Sequence, residues 1–170
     1  AVSVFLEPFI KNRKSLLLFG AGHVGKEIVN VLGGLPVDIR WIDERVDEFP
    51  AALPAHAKAV ATAAPAAELR EIPAGTFVLI MTHSHDLDYA LTRAALKNGS
   101  FEYLGLIGSQ TKRAKFERRL KTDGIDDQSL SRLTCPIGIG GVTRENPREI
   151  AIAVAAELPH LRLTHHVAQQ

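Results

Sequence analysis

The order strand, glycine turn, helix, strand, terminal acid constrains this chain more than any other feature it has. An apolar run, Leu16-Leu17-Leu18-Phe19, leads directly into Gly20-Ala21-Gly22-His23-Val24-Gly25, a G-x-G-x-x-G turn. Val24, Ile28, Val31 and Leu32 then recur at helical spacing, and Asp43 closes a second apolar run that starts at Val37. Each glycine has a physical task in such a turn. Gly20 permits the tight reversal, Gly22 lets the backbone approach a pyrophosphate, and Gly25 lets the helix pack closely on the strand. The helix N-terminus offers unpaired N–H groups and a partial positive charge to phosphate oxygens. The glycines alone would be a weak signal; the order of elements makes them a dinucleotide-binding fingerprint.

Strand-like runs over 16–20, 37–43, 57–61, 76–82, 102–107 and 133–137 alternate with helical patterns. Phe77-Val78-Leu79-Ile80-Met81 has no polar interruption, as a strand buried on both faces requires. Leu87, Ala90, Leu91, Ala94 and Ala95 form one helical stripe, and Phe116 with Leu120 a sparser one. Asn146, Pro147 and Glu149 announce a last helix by cap, first-turn proline and acid, with Ile150, Ala151, Val154, Ala155 and Leu158 as its stripe. The alanine-rich stretch 51–67 reads as a loop, a short strand and a short helix. The expected fold is α/β, a doubly wound, mostly parallel, Rossmann-like sheet in three α/β/α layers with strand order 3-2-1-4-5-6. Winding then reverses between strands one and four, so the loop after 76–82 should face the glycine turn across a crevice.

Composition narrows the classes. A chain of 170 residues with 46% hydrophobic and 23% charged residues is an ordinary globular domain. A net charge of +1 gives no electrostatic case for nucleic acid. No apolar run approaches the roughly 18 residues of a membrane helix. A single cysteine, Cys135, excludes an internal disulfide and favours a reducing compartment, so a cytoplasmic location is expected. The weakly alternating Val2-Ser3-Val4-Phe5-Leu6 resembles a strand without a local partner. Residues 1–14 are therefore expected to be the strand and linker remnant of a missing domain, 15–160 the nucleotide- or cofactor-binding domain, and 161–170 a frayed tail. The unpaired strand favours association with another chain, a homodimer being the expectation.

The loop after the fourth strand, Thr82-His83-Ser84-His85-Asp86-Leu87-Asp88, crowds histidines, carboxylates and hydroxyls at the crevice. Helix capping by Ser84, His85 or Asp86 explains one or two of these groups, and ligand contact the others. His83 and His85 alternate and could share an ion, though zinc requires a third ligand and a supporting shell. Gly108 and Ser109 make a second small-residue turn at a helix start, with Lys112 and Arg113 close by for a phosphate or a partner. Lys115, Arg118, Arg119 and Lys121 read as a solvated basic face. His23, inside the glycine turn, is positioned for ligand contact. Cys135 reads as a buried small hydrophobe rather than a nucleophile. His56, His160, His165 and His166 carry no pattern.

Taken together, Gly20-Ala21-Gly22-His23-Val24-Gly25, Asp43-Glu44-Arg45 followed by Phe49-Pro50, the 82–88 loop, Gly108-Ser109 with Lys112-Arg113, and Cys135-Pro136-Ile137-Gly138 resemble, in that order, the Rossmann domain of the XdhC/CoxI family. These are the xanthine dehydrogenase accessory proteins, and the resemblance runs from about Val4 to Leu158. It implies binding of molybdenum cofactor (molybdopterin), its delivery to xanthine dehydrogenase or a related molybdenum hydroxylase, and contact with the sulfurase that completes the metal centre. Members usually carry an N-terminal domain with a cysteine region that this chain lacks, and a basic residue is common where Gln110 stands.

Three functions follow as expectations. The first is a cofactor-binding maturation factor, more carrier than catalyst, with Gly20, Gly22, His23 and Gly25 at the phosphate and the 82–88 loop at the pterin or molybdenum end. The second is an oxidoreductase. Asp43 would favour NAD by accepting from ribose hydroxyls, while Arg45 leaves NADP open. Against it, the chain has no room for a substrate domain. The third is a nucleotide-sensing or dimerisation module.

Overall fold

A computed structural model describes residues 13–140 and 146–158; the strand expected over 2–6 and the tail over 161–170 lie outside them. Along the described residues run β1 (Lys14–Phe19), α1 (His23–Val31), β2 (Val37–Asp43), β3 (Ala57–Ala61), β4 (Phe77–Ile80), α2 (His85–Asn98), β5 (Tyr103–Leu106), α3 (Gln110–Thr122), α4 (Asp127–Ser131), β6 (Leu133–Thr134) and α5 (Pro147–Glu157). Single turns of 3-10 helix lie at Val46–Glu48 and Pro65–Leu69. The sheet order is β3-β2-β1-β4-β5-β6, with every neighbouring pair parallel. This is the doubly wound order read from the glycine turn. β6 stops after Thr134, short of the expected 137, because Pro136 has no N–H to donate to a ladder.

Alternate residues of the central strands β1, β4 and β5 enter opposite cores. Leu17, Phe19, Val78, Ile80, Leu104 and Leu106 pack with α2, α3 and α4. Leu16, Leu18, Trp41, Phe77 and Leu79 pack with α1 and α5. β4 is therefore buried at every position, and its unbroken apolar sequence follows. β2 instead alternates, with Asp38 and Arg40 exposed between Val37, Ile39 and Trp41. The link from β3 to β4 explains the difference. It holds one turn of 3-10 helix in place of a full crossover helix, so that face of β2 meets water and Arg40 pairs with Glu68. α5 is tied to the sheet by Glu157, which accepts hydrogen bonds from the Tyr103 hydroxyl at 2.7 Å and the Gly138 N–H at 2.6 Å.

The entry into α1 is the tightest point of the sheet. A Cβ at Gly25 would stand 2.1 Å from the Gly20 carbonyl oxygen, and one at Gly20, where φ is +118°, would stand 2.3 Å from the Met81 carbonyl oxygen. Both obstacles are backbone, so neither can yield without moving a strand. A Cβ at Gly22 meets nothing within 4 Å. Gly25→Ala is expected to destabilise the domain by about 1–3 kcal/mol in urea unfolding, whereas Gly22→Ala should stay within about 1 kcal/mol of the parent. Equal stability of the two variants would contradict this packing.

Candidate functional site

The register carries the ends of β1, β2 and β4 to one place. Phe19 pairs with Ile42 on one side and Ile80 on the other. The chain then turns through Gly20, whose carbonyl accepts from the Trp41 indole N–H at 2.9 Å. Gly22 is the N-cap of α1. It supplies no side-chain acceptor, and the first turn holds no acid. The other described α-helices differ, since Ser84, Ser109, Asp126 and Asn146 each cap α2, α3, α4 and α5 with a side-chain oxygen. The first N–H groups of any α-helix have no partner inside it. In α1 they are left to the cleft that its first residues border.

That cleft has a volume of about 430 Å³. Gly22, His23, Val24 and Gly25 form one wall, Thr82 and His83 the facing wall, and Arg45, Glu48, Met81, Ile107 and Pro147 the rest. The loop after β4 thus faces the glycine turn, as the strand order demands. The structure divides the residues of that loop. Thr82 and His83 line the cleft, and His83 is exposed. Ser84 caps α2 by accepting from the Leu87 N–H at 3.3 Å. His85 and Asp86 are exposed and do not line the cleft, and Asp86 lies 3.8 Å from Arg119. Asp88 is buried. It accepts from the Thr82 N–H at 2.9 Å, the Thr82 hydroxyl at 2.7 Å and Lys112 Nζ at 2.6 Å. Among the described residues, no group of three or more His, Cys, Asp or Glu could hold a metal ion, so His83 and His85 find no third ligand.

The second small-residue turn is built differently from the expectation. Ser109 caps α3 through the Lys112 N–H. Lys112 Nζ turns inward to Asp88 and to the Ile107 carbonyl at 2.9 Å. Arg113 donates to Glu117 at 2.7 Å and to the carbonyls of Leu133 and Cys135 at 3.0 and 3.2 Å. The reason is topological: β5 and β6 leave carbonyls, and α2 a buried carboxylate, beside the start of α3, and Lys112 and Arg113 satisfy them. Gly108, Ser109, Lys112 and Arg113 do not border the cleft.

Asp43 is also drawn inward. Its Oδ2 accepts from the Ala21 N–H at 2.7 Å and Arg45 Nη2 at 3.0 Å; its Oδ1 accepts from the Arg45 N–H at 2.9 Å and Arg45 Nε at 3.0 Å. Burial pushes this carboxyl up, but the bonds from Arg45 and Ala21 outweigh it and hold it below the usual carboxylate range. The expected ribose acceptor is thus a brace that fixes the glycine turn. Sequence reading missed the apolar wall of Met81, Ile107 and Pro147, and it missed Glu48 with its partner Lys26. Glu48 accepts from Arg45 Nη1 and from Lys26 Nζ, each at 3.0 Å. A positive residue just past the last glycine, and an acid five positions after Asp43, were the available signals.

Two outcomes check these braces. Asp43→Asn should cost about 1–3 kcal/mol at pH 7, between the roughly 3–5 kcal/mol of breaking a fully buried pair and the roughly 0–1 of an exposed one, because Arg45 is 37% exposed and screened. A carboxyl held low contributes stability above its unfolded pKa of about 3.9 and loses it as pH falls through the folded value. The parent should therefore lose more stability than the Asn variant between neutral and acid pH, and parallel acid limbs in chemical unfolding would refute the brace. Lys112→Met should cost about 2–3 kcal/mol, because it strands Asp88 in the core with Thr82 alone. An unchanged unfolding midpoint would contradict that.

The sequence matches the profile of the XdhC Rossmann domain over residues 16–158. It is 33% identical over 164 residues to uncharacterized protein YqeB of Escherichia coli K12, a match covering 93% of this chain and 29% of that protein. Among solved structures, a xanthine dehydrogenase from Bacillus halodurans has a similar fold, with a TM-score of 0.71 at 24% identity over 93% of this chain and 45% of that one. The chain therefore spans less than a third of the curated relative and less than half of the solved one. No described helix is long and apolar enough to cross a membrane. With the profile covering most of its length and the glycine turn in its place, the chain belongs to the XdhC family as its Rossmann domain.

Proposed function

We propose that this domain holds molybdenum cofactor as cargo and serves a xanthine dehydrogenase-type molybdenum hydroxylase as part of an accessory protein. The observation that carries the reading is the uncapped start of α1 at Gly22, open to the cleft where a Cβ would touch nothing. A phosphate arm suits that end: it needs N–H donors, the positive end of a helix and room for close approach. The remaining walls suit a pterin. Met81, Ile107 and Pro147 offer apolar surface, and Thr82 and His83 offer polar edges. A volume of about 430 Å³ lies within the range of small-molecule sites. The family relationship and the solved relative described as a xanthine dehydrogenase support the choice of partner. The sulfurase that completes the molybdenum centre would meet the same loaded domain.

The site supports holding more readily than turnover. The buried acids behind its walls, Asp43 and Asp88, are engaged in braces, and Lys112 and Arg113 at the start of α3 bond to groups outside the cleft. Titration of the purified domain with molybdopterin should show binding without turnover. Gly22→Asp should weaken it by about 100-fold, because a carboxylate then occupies the place of the phosphate, while the thermal midpoint stays close to that of the parent. Retained affinity in that variant would refute the cradle. Stoichiometric NADH binding with hydride transfer to a small carbonyl would sink the carrier reading. Co-purification with a molybdenum hydroxylase tests the partner.

A further inference from the structure

We infer that the outer face of α3 is a docking surface for an acidic face of a partner protein. The inference rests on the reading of this domain as a carrier, and it names the surface through which the carrier meets the enzyme that receives the cargo. Six of the chain's 20 Lys and Arg residues fall within the 13 residues of α3, with only one of its 19 Asp and Glu residues. The helix therefore carries +5, and the rest of the chain sums to −4. The structure separates these cations by use. Lys112 and Arg113 turn inward, and Arg113 takes Glu117, the single acid of the helix. Arg119 lies over the Tyr89 ring at 3.9 Å, and Lys121 pairs with Asp127 at 2.6 Å, yet their side chains stay 61% and 56% exposed. Lys115 and Arg118 are exposed and form no ion pair among the described residues.

This face works against its own helix. Lys115 stands three and four positions before Arg118 and Arg119, and like charges at that spacing repel. Carboxylates brought by a partner relieve the repulsion. The chemistry of the face selects among anionic partners. Phe116 and Leu120 point into the core, and the outer face shows Thr111, Ala114, Lys115, Arg118, Arg119 and Thr122, all exposed. It has no large apolar side chain to enter a bilayer and no aromatic ring on which a base could stack. The −4 of the remaining chain opposes a long polyanion but not a local acidic patch. A second copy also fits poorly. The exposed acids Glu44 and Asp47 follow β2, on the other side of β1 and β4 from α3, so pairing them with α3 would run head to tail and would not close into a two-fold dimer. The position of α3 suits a hand-over. The helix starts where β5 ends, three residues after Ile107 of the cleft wall, so a partner seated on it lies beside the cleft. A contact made of charges without an apolar centre forms quickly, weakens with salt and is short-lived.

The test is the rate at which the chain associates with a xanthine dehydrogenase-type hydroxylase prepared without its cofactor. For the parent, that rate should fall about tenfold as salt rises from about 0.05 to about 0.5 M. Lys115→Glu combined with Arg118→Glu should lower it about tenfold at low salt and leave the dissociation rate within about twofold. Circular dichroism and molybdopterin binding should not change, because both residues are exposed and lie outside the cleft. Lys58→Glu combined with Arg70→Glu makes the same change in charge at exposed positions on the β3 side, and should leave the rate within about twofold. If the α3 reversal disturbs the fold, Lys115→Gln with Arg118→Gln should still lower the rate about threefold. Equal rates for the parent and the α3 variants overturn the docking surface and leave the partner reading in place. Equal losses from the α3 and β3-side reversals overturn it too, since net charge alone then explains them. A parent that does not bind the hydroxylase overturns both the surface and the partner, while molybdopterin titration still decides the cargo. Binding to phosphatidylserine vesicles or duplex DNA that the α3 reversal abolishes, with hydroxylase association unaffected, assigns the face to those anions and overturns the inference. Self-association in sedimentation that the same reversal abolishes, again with hydroxylase association unaffected, assigns it to a second copy with the same consequence.

Discussion

The Gly20 carbonyl is the point on which the arrangement turns. It ends β1, accepts the Trp41 indole N–H from β2, and lies where any side chain at Gly25 would have to pass. Three elements therefore meet on one backbone oxygen. The contact sets how closely α1 approaches the sheet, and α1 in turn carries Ile28, Val29 and Leu32 into the core it shares with α5. Asp43 fixes the next peptide by holding the Ala21 N–H. What remains free after these commitments is the stretch that starts at Gly22, and it borders the cleft. Rigidity on one side of the turn and openness on the other come from the same set of bonds.

The facing wall is organised by a second buried carboxylate. Asp88 lies on the first turn of α2 and holds the backbone and hydroxyl of Thr82, while Lys112 ties it to α3 and to the end of β5. The loops after β4 and β5 are thereby locked to each other. His83 projects from this frame with its neighbours on both sides engaged in bonds of their own. A side chain on a locked loop can be positioned for a ligand without needing a hydrogen bond of its own to the fold.

The fold was legible because its signals are local and redundant. Glycines at 20, 22 and 25 and an uninterrupted β4 each report a physical surrounding that the strand order then satisfies; 37–43 read as an apolar run, and its alternation with Asp38 and Arg40 exposed came only with the structure. The cap at Asn146 and the turn at Gly22 were readable for the same reason. The site was legible only as a neighbourhood. Residue type announces that Lys112, Arg113, Asp43 and Asp88 are charged, but not whether a charge meets a ligand or a buried partner. That depends on contacts across 24 positions for Lys112 with Asp88, and across 22 for Asp43 with Ala21 and for Arg113 with Cys135. Spacing does not encode such contacts. Glu48 escaped notice for a related reason: its place between Lys26 and Arg45 comes from the fold, and an acid five positions after Asp43 is too weak a signal to announce it.

The distribution of charge bears on what kind of protein this is. Near the cleft, fixed attraction for an anion comes from the main chain at the start of α1, and the side-chain cations beside it are balanced by Asp43 and Glu48. A site of this design discriminates by shape and by backbone donors, and its net field is small. Strong unbalanced cations would hold a phosphorylated cofactor tightly and release it slowly, since most variation in affinity lies in the dissociation rate. On the carrier reading proposed above, the ligand must also leave, and a site whose nearby cations are already balanced by Asp43 and Glu48 suits that.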